Sequence, residues 1–127
     1  MIGYAAAGDL LTAYGLAWQS FDGDAWVSLF TEDAEYHGDP FGAPMVGRNA
    51  LRAFLLDSAG AQRDVEFTVE RHWISGETVL AAWRAAWIAR DDGRLVRAAG
   101  FLTAEIAGDG RISRFREWVQ IAPGPTG

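Results

Sequence analysis

The sequence predicts an α+β domain in which helices come first and a long antiparallel sheet follows. Three observations lead there. Apolar residues recur every three or four positions as far as Asp57, they alternate every second position from Gln62 onward, and Asp-Gly turn signals divide that second half into successive strands. A length of 127 residues suits one domain, because halves of that size would bury too little apolar surface to stand alone. Residues 1–127 are therefore read as one unit.

The elements follow in order. Asp9 is placed to cap a helix whose apolar positions are Leu10, Tyr14, Ala17, Trp18 and Phe21. Asp22 is the next capping acceptor, and a short helix from Gly23 to Phe30 buries Trp26, Leu29 and Phe30. Glu35 to Gly38 reads as a brief strand ending in the turn Gly38-Asp39-Pro40-Phe41-Gly42, where proline and glycine break the element. A third helix runs from Arg48 to Asp57, with Gly60 as its stop. Four strands come next, beginning at Gln62, Val79, Leu95 and Ile112. Gly76-Glu77, Asp91-Asp92-Gly93 and Gly108-Asp109-Gly110 are the turns between them. On the first of these strands Asp64, Glu66, Thr68, Glu70 and His72 fall on the polar, outer face. A sheet this long is expected to curl strongly around the helices to bury its apolar face. The small residues Ala85, Ala98, Gly100 and Ala104 either make room for a cavity or let other groups pack closely.

Composition excludes several functions. The charge of −6 and the lack of a basic cluster argue against nucleic acid and anionic membrane as partners. All 11 basic residues are Arg, so no lysine is present for Schiff-base chemistry, and the absence of Cys removes thiol nucleophiles and thiolate metal sites. Two histidines cannot build a His₃ zinc site, and no nucleotide-binding glycine motif occurs, so no cofactor or metal is expected. No apolar run approaches the length of a spanning helix and no signal peptide is recognisable; a cytoplasmic protein is expected.

Four residues carry candidate chemistry. Asp39 is either a general base at the mouth of an apolar cavity or an acceptor that closes its own turn. His37 lies two residues before it, on the same side of an extended stretch, where an imidazole could hold a carboxylate. Tyr14 offers a phenol to a substrate oxygen, or is an ordinary amphipathic helix residue. Glu117 inserts a carboxylate into the apolar row Phe115, Val119 and Ile121. The competing register turns Ile112, Arg114, Arg116 and Trp118 inward instead, with Arg116 as an anion clamp. Trp18, Trp83 and Trp87, with Leu102 and Phe115, are the expected lining of a cavity for a flat apolar molecule; Phe101 and Trp118 face outward and suit a dimer contact.

The segment Leu29-Phe30-Thr31-Glu32-Asp33-Ala34, the turn Asp39-Pro40-Phe41-Gly42, the stretch Gly47-Arg48-Asn49-Ala50-Leu51 and the four strands resemble the NTF2-like superfamily, its SnoaL-like and ketosteroid-isomerase-like branches above all. The resemblance runs from about Leu10 to Gln120. It implies a cone of three N-terminal helices packed in a strongly curled antiparallel sheet, an apolar cavity at the open end, and a homodimer. It also implies Asp39 as general base and Tyr14 as oxyanion donor; the position near Leu102, where isomerases carry a second acid, holds none. The expected function is cofactor-free general acid–base chemistry on an apolar carbonyl compound, as an isomerase or polyketide-cyclase-like enzyme. A non-catalytic binding domain for a hydrophobic small molecule, or a structural dimerising protein, is the alternative.

Overall fold

The computed structural model describes residues 2–124. Helix α1 spans Tyr4–Ser20, α2 Gly23–Val27 and α3 Arg48–Ala61; the strands are β1 Phe30–His37, β2 Met45–Val46, β3 Gln62–Ser75, β4 Thr78–Ala89, β5 Leu95–Ile106 and β6 Ile112–Ile121. Helix α1 starts five residues before Asp9, with Gly3 at its cap and Asp9 exposed within it. The Tyr-Ala-Ala-Ala run favours helix strongly enough to extend the element past the better capping residue. Phe21 ends α1 in the left-handed region (φ 49°), and its N–H and that of Asp22 return to the carbonyls of Trp18 and Ala17. Asp22 then caps α2 by accepting from the Ala25 N–H at 3.1 Å. Helix α2 stops at Val27, because Phe30 already belongs to β1. Helix α3 runs through Gly60 to Ala61 and passes directly into β3.

One sheet of six strands holds the molecule together, in the order β2-β1-β6-β5-β4-β3. Strands β3 to β6 form the antiparallel meander expected from the turns. The expectation of a strongly curled, wholly antiparallel sheet is corrected in two respects. First, β1 is a full strand of eight residues and pairs with β6 in parallel, with Tyr36 opposite Phe115 and His37 opposite Arg116. A parallel pair needs a long crossover, and here the chain from β2 through β5 supplies it. Second, the sheet is open, with β2 and β3 as unjoined edges, and it is not strongly curled. Strong curling is unnecessary because the helices cover the apolar face from both ends, α1 against β3 and α3 against β1 and β2.

Alternation places Val79, Ala81, Trp83 and Ala85 of β4 in the core, as their spacing requires. Strand β3 departs from the simple alternation. Its register slips between Val69 and Arg71, an irregularity that takes up an extra residue and reverses which side chains face inward. His72, expected on the polar face, therefore lies opposite the buried Ala81. Its ring stacks on Tyr4 with centroids 3.9 Å apart, and its Nε2 is 3.0 Å from the Tyr4 carbonyl. Arg71 and Trp73 are sent to the outer face, where the Arg71 guanidinium lies 4.9 Å from the Trp73 ring centre. Phe101 and Trp118 are cross-strand neighbours on that face, and Trp118 is 43 % exposed.

Candidate functional site

An aromatic cavity of about 170 Å³ opens between the helices and the sheet. Trp18 and Tyr14 come from α1, Trp26 from α2, Phe54 and Ser58 from α3, Trp83 and Trp87 from β4, and Tyr36, Glu117 and Val119 from β1 and β6. Their convergence follows from period. Tyr14 and Trp18 are four apart on one helix face, Trp83 and Trp87 are four apart on one strand face, and Glu117 and Val119 share the inner face of β6. Gln62, at the junction of α3 and β3, accepts from the Trp18 indole N–H at 3.0 Å and fixes that ring in the wall.

Among the described residues Glu117 is the one carboxyl in this lining. The parallel pairing of β1 with β6 brings Tyr36 beside it, and the Tyr36 hydroxyl donates to Glu117 Oε1 at 2.7 Å. The backbone at Gly38 passes close to this pair: a Cβ there would lie 3.6 Å from the Tyr36 ring and 4.0 Å from Glu117 Oε1. Burial among aromatic rings disfavours the charged carboxylate and raises the Glu117 pKa to about 7, while the Tyr36 hydrogen bond works in the opposite direction. Burial, then the negative charge of Glu117, push both phenols upward, so Tyr14 and Tyr36 stay protonated hydrogen-bond donors. The Tyr14 ring is 5 % exposed and stacks on Phe115, which stacks in turn on Tyr36, with centroids 5.2 and 4.8 Å apart.

Of the residues singled out from sequence, Tyr14, Glu117, Trp18, Trp83 and Trp87 meet in this cavity. Leu102 and Phe115 are fully buried in the core beneath it and are not part of its lining. Asp39 stands outside. It is exposed in the turn after β1, its Oδ1 accepts from the Phe41 N–H at 2.9 Å, and its carbonyl accepts from the Gly42 N–H at 3.1 Å. His37 sits opposite Arg116 in the register, with Nε2 3.4 Å from Glu35 Oε1 but without hydrogen-bonding geometry to it. No hydrogen bond joins His37 to Asp39 among the described residues. Arg116 is exposed on the outer face, so the inward register of β6 is that of Phe115 and Glu117.

Sequence reasoning missed Tyr36, Trp26 and Phe54 as lining residues. For Tyr36 the signal is the alternation of Ala34 with Tyr36, which carries the strand back beyond Glu35 to Phe30. Among the described residues no cluster of three or more His, Asp or Glu side chains could hold a metal ion, and no helix is long and apolar enough to cross a membrane.

The mixed six-stranded sheet with its three helices is the fold of the NTF2-like class of α+β proteins. Within it, residues 11–115 match the SnoaL-like domain, and the chain belongs to that family. No curated protein matches it. Several solved structures are similar in fold at low identity. The epoxide hydrolase/cyclase-like enzyme SalBIII, described for its role in pyran ring formation in the polyether salinomycin, is 19 % identical with a TM-score of 0.82, over 94 % of this chain and 95 % of that one. An NTF2-like protein from Anabaena variabilis is 16 % identical with a TM-score of 0.81, covering 98 % and 96 %. The Delta 5-3-ketosteroid isomerase from Mycobacterium sp. is 18 % identical with a TM-score of 0.76, covering 92 % and 98 %.

Proposed function

We propose that this protein is a small-molecule enzyme that performs cofactor-free general acid–base chemistry on an apolar carbonyl compound, with Glu117 as the proton acceptor. The observation that carries the reading is the position of the Glu117 carboxyl. Among the described residues it is the only acid lining the aromatic cavity, and that environment holds its pKa at about 7, where a group can both take and return a proton at neutral pH. The base role moves here from Asp39, whose carboxylate is engaged in its own turn.

The chemistry is a proton transfer. The C–H bond next to the substrate carbonyl breaks, its proton goes to a Glu117 oxygen, and the electron pair moves onto the carbonyl oxygen as an enolate. Tyr14, a protonated phenol in the same wall, donates a hydrogen bond to that oxygen, and Tyr36 keeps the carboxyl in place. Return of the proton to a different carbon completes an isomerisation. Attack of the enolate carbon on a second carbonyl of the same molecule, followed by passage of the Glu117 proton to the alkoxide oxygen so formed, completes an aldol closure. Both outcomes begin with the same step, and the fold similarity to an isomerase and a cyclase-like enzyme is compatible with either.

One observation favours the non-catalytic alternative: Leu102 and its surroundings are buried core, so no second acid assists Tyr14 there. The two readings separate in heavy water. Incubated with small cyclic enones in D₂O, the wild-type protein is expected to exchange the acidic C–H protons of a ligand for deuterium, read by proton NMR, and Glu117→Gln is expected to abolish the exchange. Exchange that survives Glu117→Gln but is lost in Asp39→Asn would return the base role to Asp39. Binding with no exchange above the buffer rate would select the binding domain.

A further inference from the structure

The cavity combines many aromatic rings with one carboxyl and no base. Seven of its lining residues are Trp, Tyr or Phe, and among the described residues neither Arg nor His is part of its wall. The rings do not form one parallel stack. Trp18 stands at 88° to Trp83 and 53° to Trp87, Trp26 at 56° to Tyr36, and Tyr36 at 45° to Phe54. Rings tilted in this way turn faces as well as edges to the space between them, and the face of an aromatic ring is its electron-rich side. The enclosed field is therefore negative from two sources, the ring faces and the Glu117 carboxylate.

Only one oxygen of that carboxylate is engaged. Tyr36 donates to Oε1, no described group donates to Oε2, and Oε2 is not sealed in the way the Nε1 atoms of Trp26 and Trp83 are. The other groups around Glu117 do not neutralise it. Tyr14 and Tyr36 are uncharged phenols, Leu102 lies opposite it on β5, and His37 and Arg116 flank it on the outer side of the sheet. At the mouth, Arg94 is paired with Asp92 at 2.7 Å, and Arg90 Nε donates to the carbonyls of Ala59 and Gln62. A buried carboxylate without a cation is costly, and a ligand that brings the cation offsets that cost.

We propose that the cavity binds a small alkylated ammonium cation, with its charged head among the rings and against Glu117 Oε2. Size and hydrogen bonding select alkylated nitrogen. The volume of about 170 Å³ is close to that of an engineered apolar cavity of roughly 150 Å³ that binds a single benzene, and a trimethylammonium head is of similar bulk. A primary ammonium brings three N–H donors to a wall made mostly of rings, where those left unpaired cost binding; methyl groups on the nitrogen pack against ring faces instead. This ligand class goes beyond the carbonyl chemistry proposed above and shares with it only the position of Glu117. Because burial holds the Glu117 pKa at about 7, affinity for the cation rises as pH rises through that value.

Choline, its neutral carbon isostere 3,3-dimethylbutan-1-ol, and ethanolamine serve as probes, with affinities read by NMR titration. At pH 8 wild-type protein is expected to bind choline about tenfold more tightly than either of the others. Between pH 8 and pH 5.5 its affinity for choline is expected to fall about tenfold, while that for the alcohol stays within twofold. Neither readout depends on how well a variant folds. Glu117→Gln is expected to weaken choline about tenfold at pH 8 and to change the alcohol less than twofold. Equal binding of choline and the alcohol, ethanolamine binding as tightly as choline, or a choline affinity that ignores both pH and Glu117→Gln would overturn the proposal. Choline bound with the expected profile, and no deuterium exchange into cyclohex-2-enone, would sink the carbonyl reading and leave this one standing. Exchange that depends on Glu117, in a protein that does not bind choline, would do the opposite.

Discussion

The Tyr36 hydroxyl donates to Glu117 Oε1 at 2.7 Å, joining β1 to β6 across 81 residues of chain. The pairing of Tyr36 with Phe115 puts Glu117 two residues further along the same face, so the bond depends on the parallel arrangement of these strands. It also sets the acidity of the site, since it is the one contact that lowers a Glu117 pKa otherwise raised by burial. Tyr36→Phe removes that contact and should raise the Glu117 pKa further above 7. The alkaline part of the pH–rate profile, where the base is ionised, is then expected to begin at higher pH, and deuterium exchange at pH 7 to fall several-fold. The stability cost should be about 1–2 kcal/mol, the usual worth of a hydrogen bond to a charged or ionisable group. A profile that does not move with Tyr36→Phe would dissociate the hydrogen bond from the proton transfer.

Glu117 should also leave a mark on folding. Its pKa of about 7 in the folded protein stands above the usual 4.5, so between these values the folded state holds a proton that the unfolded state has released. This contribution is fully present below about pH 4.5, declines as pH rises through 7, and is lost above it. The gap corresponds to an upper limit of order 3 kcal/mol. Urea unfolding at pH 5 and pH 8 is the measurement. Wild-type protein is expected to lose stability between the two, and Glu117→Gln to lose markedly less and to be the more stable of the pair at pH 8. Parallel losses in both proteins would place the titrating group elsewhere.

How much of this was legible in the sequence depends on whether the period ran unbroken. The face of β4 from Val79 to Trp87, and that of β6 from Phe115 to Val119, read correctly because nothing interrupts the alternation. The face of His72 did not, because one irregularity near Glu70 reverses everything beyond it, and no local residue announces that slip. The parallel partner of β1 was invisible for another reason: strand order is decided by which edge remains free once the meander has formed. Asp39 shows the same limit at the site. Its turn is written in Gly38-Asp39-Pro40-Phe41-Gly42, while the direction that turn takes relative to the cavity depends on how β1 docks on β6.

That distinction makes Asp39 testable. Its side chain accepts from the Phe41 N–H, and the amide oxygen of Asn can do the same. Asp39→Asn is expected to leave deuterium exchange within about twofold of wild type and stability within about 0.5 kcal/mol, the range of an ordinary surface change. Asp39→Ala, which removes the acceptor, should cost about 1 kcal/mol in urea unfolding while still preserving exchange. A loss of a hundredfold or more in Asp39→Asn would contradict the assignment of the base to Glu117.

Gly100 decides whether the cavity floor can exist at all. A Cβ at this position would overlap Cε2 and Cζ2 of Trp83 and stand 2.9 Å from the Trp118 carbonyl oxygen. The carbonyl belongs to the neighbouring strand and cannot retreat without disturbing the β5–β6 ladder, so the indole must swing away. Gly100→Ala is therefore expected to destabilise the protein by about 1–3 kcal/mol through overpacking, outweighing the backbone entropy that alanine saves in the unfolded chain. Because the displaced ring is one of those that line the cavity, the same variant should weaken cyclohexenone binding beyond what the stability loss explains. A cyclohexenone affinity of folded Gly100→Ala within twofold of wild type would mean that the seat of Trp83 on Gly100 does not govern the cavity.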